Sequence, residues 1–223
     1  MAESKPKQTG VTAVYIIISL VFSYLLVSLS GFNSEEVYEK FLTYYSGGYI
    51  DEAAEYLMSV KPTAFQSFAS TLLFLTSLIV DAGLTIFIMN SVRGTNPCYG
   101  NLLDGFSSVF RILILSVARI LIISFASLLL IFPGVILFYC YRMSMYILID
   151  NPELSPFECL SRSRKIMRGH KYDLFRLDIS FIVWFLISSL PYIGQISEIL
   201  SIPYRYNSYV LFYDTIKSDT PES

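Results

Sequence analysis

The chain has 223 residues, 54% hydrophobic and 15% charged, with a formal net charge of -2 at pH 7. Soluble domains carry about a quarter charged residues, so a mean hydropathy of +0.55 argues against a water-soluble globule. The near-neutral balance also argues against nucleic-acid binding, which needs a concentrated basic surface.

Lys5 and Lys7 precede the first apolar run, 11–30. That run exceeds the roughly 7–15 residues of a signal peptide's apolar core, so it reads as a retained anchor. Further runs occupy 64–90, 106–132, 135–149, 172–190 and 193–215. About 20 helical residues at 1.5 Å each cover the hydrocarbon core. The fourth run, roughly 22 Å long if helical, crosses only with little tilt and local thinning. The expectation is an all-α polytopic bundle of six transmembrane helices, 1–223 forming one membrane domain.

Within the first long loop, 31–63, Asn33 and Glu36 have N-cap spacing for a helix running to Ser46, which Gly47 and Gly48 end. Asp51 begins a second short helix that stops before Pro62. Tyr38, Phe41, Leu42 and Tyr45 share one face, suited either to a lipid interface or to a solvated connector.

Loop cations orient the bundle. Lys5, Lys7, Arg93, Arg162, Arg164, Lys165, Arg168, Lys171 and Lys217 fall on one side. The other side has Lys40 and Lys61 among Glu35, Glu36, Glu39, Asp51, Glu52 and Glu55. This bias predicts cytoplasmic termini. A five-span alternative, with 106–149 as one crossing, puts the basic segment outside and is rejected. Pro133 and Gly134 are then expected to form the tight outer turn of a hairpin, since proline lacks an amide donor and glycine tolerates unusual angles.

Asp150, Asn151 and Pro152 end the fourth run, and Ser155 with Glu158 has capping-box spacing for a helix over 155–169. Cys159, Leu160, Ser163, Ile166 and Met167 share one face of it, and Arg162, Arg164, Lys165 and Arg168 cover the rest. Such a basic amphipathic helix suits an anionic inner leaflet at roughly 1 kcal/mol per cation. It equally suits a topology signal with no ligand.

Several motifs resemble those of an uncharacterised bacterial family of integral membrane proteins, domain of unknown function 975. They are Phe132-Pro133-Gly134, Tyr141-Arg142-Met143-Ser144-Met145, Ile147-Leu148, Asp150-Asn151-Pro152, Ser155, Glu158, Arg162-Ser163, Met167 and Gly169. Leu174-Phe175, Leu177-Asp178, Ser180-Phe181-Ile182, Pro203-Tyr204 and Phe212-Tyr213 continue the likeness. Arg205-Tyr206-Asn207 departs from it, standing where small residues are more usual. The resemblance implies a polytopic plasma-membrane protein and no particular activity.

An arginine inside a span must be paired, hydrated or snorkelling. Counted from the inner ends, Arg142 lies roughly 11 Å deep, Asp178 about 9 Å, Asp81 about 13 Å and Arg205 about 15 Å, with Arg119 mid-span. Arg111 is near enough to an end to snorkel. The expected polar cluster pairs Arg142 with Asp178, supported by Tyr141 and Ser144, and then Asp81 with Arg119. Two readings of it stand: an ion pair that fixes helix register, or a polar cavity for an anionic head group, ion or small solute.

Enzymatic chemistry finds no support. The single histidine, His170, cannot build a two-histidine metal site, and neither phosphate-binding nor nucleophile-elbow motifs occur. Cys98, Cys140 and Cys159 are far apart in sequence and read as ordinary thiols. No cofactor or metal is expected. The two hairpins, 106–149 and 172–215, share too little sequence to establish a repeat. The expected function is that of a non-enzymatic accessory or scaffold subunit acting on another membrane protein or on anionic lipid; a homo-oligomer is the other expected assembly, the one a six-span transporter would need. The alternative is a small transporter or channel using the site around Arg142 and Asp178.

Overall fold

The computed structural model describes residues 8–30, 34–59, 63–95, 97–188 and 193–219. Lys5, Lys7, Asn33, Lys61 and Pro62, which carry part of the sequence argument, lie outside them. All regular elements among the described residues are helical: α1 (Gln8–Ser30), α2 (Ser34–Ser46), α3 (Ile50–Ser59), α4 (Ala64–Arg93), α5 (Asn101–Asp104), α6 (Val109–Leu129), α7 (Ile131–Cys140), α8 (Ser144–Asp150), α9 (Pro156–Ile166), α10 (Lys171–Ser180), α11 (Ile182–Ser188) and α12 (Ile193–Asp219). Among the described residues four segments are long and apolar enough to cross a membrane: Gln8–Leu26, Ala64–Arg93, Asn101–Leu129 and Ile131–Asp150. The other two expected spans differ in kind. The fifth breaks into α10 and α11 at Phe181. The sixth, α12, is 27 residues long but carries polar groups along much of its length.

The chain forms two compact units, 1–16 with 78–223 and 17–77. In the smaller one α2 packs on α3. Gly48 ends α2 at φ +81°, a left-handed conformation that favours glycine. Tyr44 approaches Tyr56 at 5.9 Å and the Lys40 ammonium lies 5.7 Å from the same ring. Tyr38, Leu42 and Tyr45 stay exposed. Thr63 and Gln66 form a reciprocal capping box, with bonds of 2.7 and 3.2 Å, that starts α4.

In the larger unit Leu84, Phe87, Ile88 and Met89 of α4 are buried with Leu115, Met143, Met167, Val210 and Tyr213. Close helix approach depends on missing side chains. A Cβ on Gly83 would strike the Leu102 carbonyl, and one on Gly105 the Ile79 carbonyl. By contrast Leu128, Phe110 and Phe132 are at least 80% exposed, and so large an apolar surface suits lipid better than water.

The α6–α7 hairpin does not turn at Pro133 and Gly134. It reverses at Leu130, which is extended (φ -156°, ψ 137°). Pro133 falls in the first turn of α7, where its missing N–H has no helical partner to lose. Gly134 lies directly on Ser127 of α6, so its task is close packing rather than an unusual dihedral. The fourth apolar run is also not one helix. It breaks at Tyr141–Met143, between α7 and α8.

Gly134→Leu is expected to destabilise the detergent-purified protein by about 1–3 kcal/mol through overpacking. An unchanged unfolding temperature would contradict the close α6–α7 contact.

Candidate functional site

A helix break in an apolar setting frees backbone groups that must find partners. At Tyr141–Met143 nearby hydroxyls supply them. Ser144 Oγ donates to the Tyr141 carbonyl (2.7 Å), and Ser163 Oγ of α9 donates to the Cys140 carbonyl (2.8 Å). The second bond explains the placement of α9, which packs along α6 and α8. Its Cys159, Leu160 and Ser163, with Met167 just beyond, are buried on the protein itself. Leu154, in the connection between α8 and α9, is tied to α6, its carbonyl accepting from Arg111. The apolar face of the basic helix is therefore not available to lipid, which corrects the simple picture of an amphipathic helix lying in the interface. Arg162, Arg164, Lys165 and Arg168 remain exposed.

The start of α9 is a reciprocal capping box. Ser155 N–H donates to Glu158 (2.8 Å) and Glu158 N–H to Ser155 Oγ (3.3 Å). These bonds hold the Glu158 carboxyl below its usual range. Burial pushes the Cys159 thiol up, against the nearby Arg111 and Arg162 charges. Asn151 closes α8 by donating to the Ile147 carbonyl at 2.9 Å, and Pro152 follows in the turn. His170 sits 3.5 Å from Asp173 at the start of α10.

Arg142 and Asp178 are linked through a third side chain rather than directly. Among the described residues no ion pair joins them. The Arg142 guanidinium lies 4.9 Å from the Tyr209 ring centre and 5.3 Å from that of Phe138. Tyr209 then donates its hydroxyl to Asp178 at 2.7 Å. Asp81 likewise makes no described ion pair with Arg119. It accepts from the hydroxyls of Tyr206 (2.8 Å) and Tyr15 (3.3 Å). Tyr141 contributes a buried ring and its carbonyl to the break. Arg205 forms no described ion pair, and its Nε is buried without a hydrogen-bond partner among the described residues.

Arg119 and Arg142 meet at a cavity of about 240 Å³ between α6 and α7, walled by Ile120, Ile123, Ser124 and Phe138. The sequence reading had assigned each arginine a carboxylate. In the structure both carboxylates are engaged by tyrosines, and the guanidinium groups line a common space.

A second polar assembly was not anticipated. Arg93, at the end of α4, binds Asp150 of α8 through two bonds (2.5 and 3.1 Å) and Asp214 of α12 through two more, one of 3.2 Å. Lys217 adds a 2.9 Å bond to Asp150. Farther along, Gln8 of α1 exchanges amide hydrogen bonds with Asn207 (3.2 and 2.8 Å) and donates to Ser91 (2.8 Å). The start of α1 and the ends of α4, α8 and α12 are thus tied together. From the sequence alone Asp150 reads only as a helix stop. The available signal was that Arg93, Asp150 and Asp214 all fall within a turn of the inner ends of expected spans.

Described residues that are helical in every regular element, four segments among them able to cross a membrane, and carboxylates held by tyrosines and opposite charges are the marks of a membrane protein of the helix-bundle class. Residues 68–220, more than half of the chain, match the family described as Protein of unknown function (DUF975), and the chain belongs to that family. No curated protein matches it. No solved structure does either.

Arg93→Gln should destabilise by about 1–2 kcal/mol, because two adjacent carboxylates lose a shared, partly exposed partner. Lys217→Gln should have an effect of at most about 1 kcal/mol, since its side chain is roughly half exposed and makes a single bond to Asp150. Equal melting shifts in the two variants would contradict this ranking. Because the Glu158 carboxyl is held low, its stabilisation is present above the unfolded-state value and is lost as pH falls through the folded one. Glu158→Gln should remove that part of the acid dependence of α9 amide exchange; an unaltered profile would contradict it.

Proposed function

We propose that this protein is a non-enzymatic, six-span bacterial plasma-membrane protein that acts as a scaffold or accessory subunit. In this reading it gathers anionic inner-leaflet lipid, or an acidic surface of a membrane partner, on α9. The observation that carries it is the way α9 is held. Its apolar side is consumed by contacts with α6, α8 and the helix break, leaving Arg162, Arg164, Lys165 and Arg168 outward on a rigid mount. A helix that cannot insert its apolar face binds by charge alone, at about 1 kcal/mol per cation. The interaction is consequently screened as the Debye length falls from about 10 Å at 0.1 M to about 3 Å at 1 M salt.

The topology with both termini inward is supported by the gathering of Gln8, Arg93, Asp150, Asp214 and Lys217 at neighbouring helix ends. Those are the ends that a six-span path with cytoplasmic termini puts on one side. In that path α10 with α11 forms the fifth crossing and α12 the sixth, with Asp178, Tyr206 and Tyr209 bonded across to other helices.

The cavity at Arg119 and Arg142 favours a second reading, a small transporter or channel. In liposomes such a protein loses flux on Arg142→Gln and keeps it when α9 is neutralised.

Nanodiscs containing mixed zwitterionic and anionic spin-labelled lipids test the leading reading. The native chain should enrich anionic lipid, and replacing all four α9 cations by Gln should bring selectivity close to unity, as should 1 M salt. Selectivity unchanged by either treatment, with no membrane partner lost from the variant on gentle purification, would overturn it.

A further inference from the structure

The cavity between α6 and α7 presents an unusual balance of groups. Two guanidinium groups reach it, Arg119 from the centre of α6 and Arg142 from the break after α7, with one hydroxyl, Ser124, and otherwise apolar walls. Neither arginine has an ion-pair partner among the described residues. The nearest candidates, Asp81 and Asp178, are held by the hydroxyls of Tyr206, Tyr15 and Tyr209. The Arg142 guanidinium is confined by two rings, its carbon 5.3 Å from the centre of Phe138 and 4.9 Å from that of Tyr209. A held guanidinium is a preorganised fork for a two-oxygen anion, and forked pairing exploits directional hydrogen bonds as well as charge. Two like charges at one apolar-walled space are stabilised by an anion between them.

We infer that this cavity is a binding site for an amphiphilic oxyanion, a carboxylate or phosphate carried on an apolar chain, with Arg119 and Arg142 holding the oxygens. The volume of about 240 Å³ equals roughly eight water volumes, enough for such a head group and the first few carbons. The chain is called for by the walls. Ile120 and Phe138 are each over a third exposed, so the cavity reaches the outside past apolar side chains; Leu121, Val135 and Ile136 of the same two helices are exposed as well. A ligand arriving through that surface comes from lipid, whereas a free ion would have to cross it. The inference deepens the transporter reading by naming its ligand class, but binding alone does not require flux.

The test is equilibrium binding of radiolabelled oleate to the full-length protein in zwitterionic nanodiscs, with methyl oleate and inorganic phosphate as competitors. One saturable site per chain is expected, insensitive to the methyl ester. Affinity should fall roughly ten- to a hundredfold in Arg119→Gln and in Arg142→Gln, as loss of a charge-assisted bond implies. Ile123→Trp, which fills the cavity and keeps both charges, should also block binding and guards against variants that fail to fold. Inorganic phosphate competing as well as oleate would keep an oxyanion site but overturn the amphiphile. Absence of saturable binding, or binding untouched by Ile123→Trp, would overturn the site itself. Saturable binding without flux in liposomes would reject only the transporter reading.

Discussion

The constraint on which this structure depends is that carboxylates and broken backbone placed among apolar helices need polar partners: Ser144 and Ser163 serve the helix break, and α12 supplies most of the partners for the carboxylates. Asn207 reaches α1, Tyr206 reaches Asp81 of α4, Tyr209 joins Asp178 of α10 to Arg142, and Tyr213 stacks on Tyr146 of α8 at 5.6 Å. Asp214 and Lys217 finish the series on Arg93 and Asp150. Tyr206, Tyr209, Tyr213 and Lys217 recur at helical three- and four-residue intervals, which puts them on one side of the helix. That polar side is why α12 is long but not uniformly apolar, and why it sits among other helices.

Tyrosine suits the task for a physical reason. Its ring packs like a hydrophobic side chain while its hydroxyl donates to a carboxylate. An arginine set directly against an aspartate leaves both charges dependent on one geometry, and removing either strands the other. Inserting Tyr209 divides the interaction into a ring contact with Arg142 and a hydrogen bond to Asp178. One consequence is functional. With the carboxylates engaged elsewhere, Arg119 and Arg142 are left facing the α6–α7 cavity.

Local signals were the legible part of the sequence. Ser155 with Glu158, Gly47 with Gly48, and the stop at Asp150 and Asn151 each depend on neighbouring residues alone, and each sits at its helix end. Pro133-Gly134 misled because the same pair suits a turn or, with proline in the first helical turn, a helix start packed closely on its neighbour. The actual reversal, an extended Leu130, has no composition to mark it. The expected Arg142–Asp178 pairing assumed an unbroken helix over 135–149 and measured depth along it. The break at Tyr141–Met143 interrupts that helix at Arg142 itself, and nothing local in the sequence marks Tyr209 as the side chain between the two. Arg205-Tyr206-Asn207, noted as a departure from the family pattern, includes two residues that tie α12 to α4 and α1.

The most direct test of the relay is a double-mutant cycle between Tyr209→Phe and Asp178→Asn, measured by reversible unfolding in detergent, alongside the charge exchange Arg142→Asp with Asp178→Arg. The account predicts a coupling of about 1–2 kcal/mol in the cycle, as for a hydrogen bond to a charged group, and no rescue by the exchange. Additive effects in the cycle together with restored stability in the exchanged protein would show that Arg142 and Asp178 pair directly, and would contradict it.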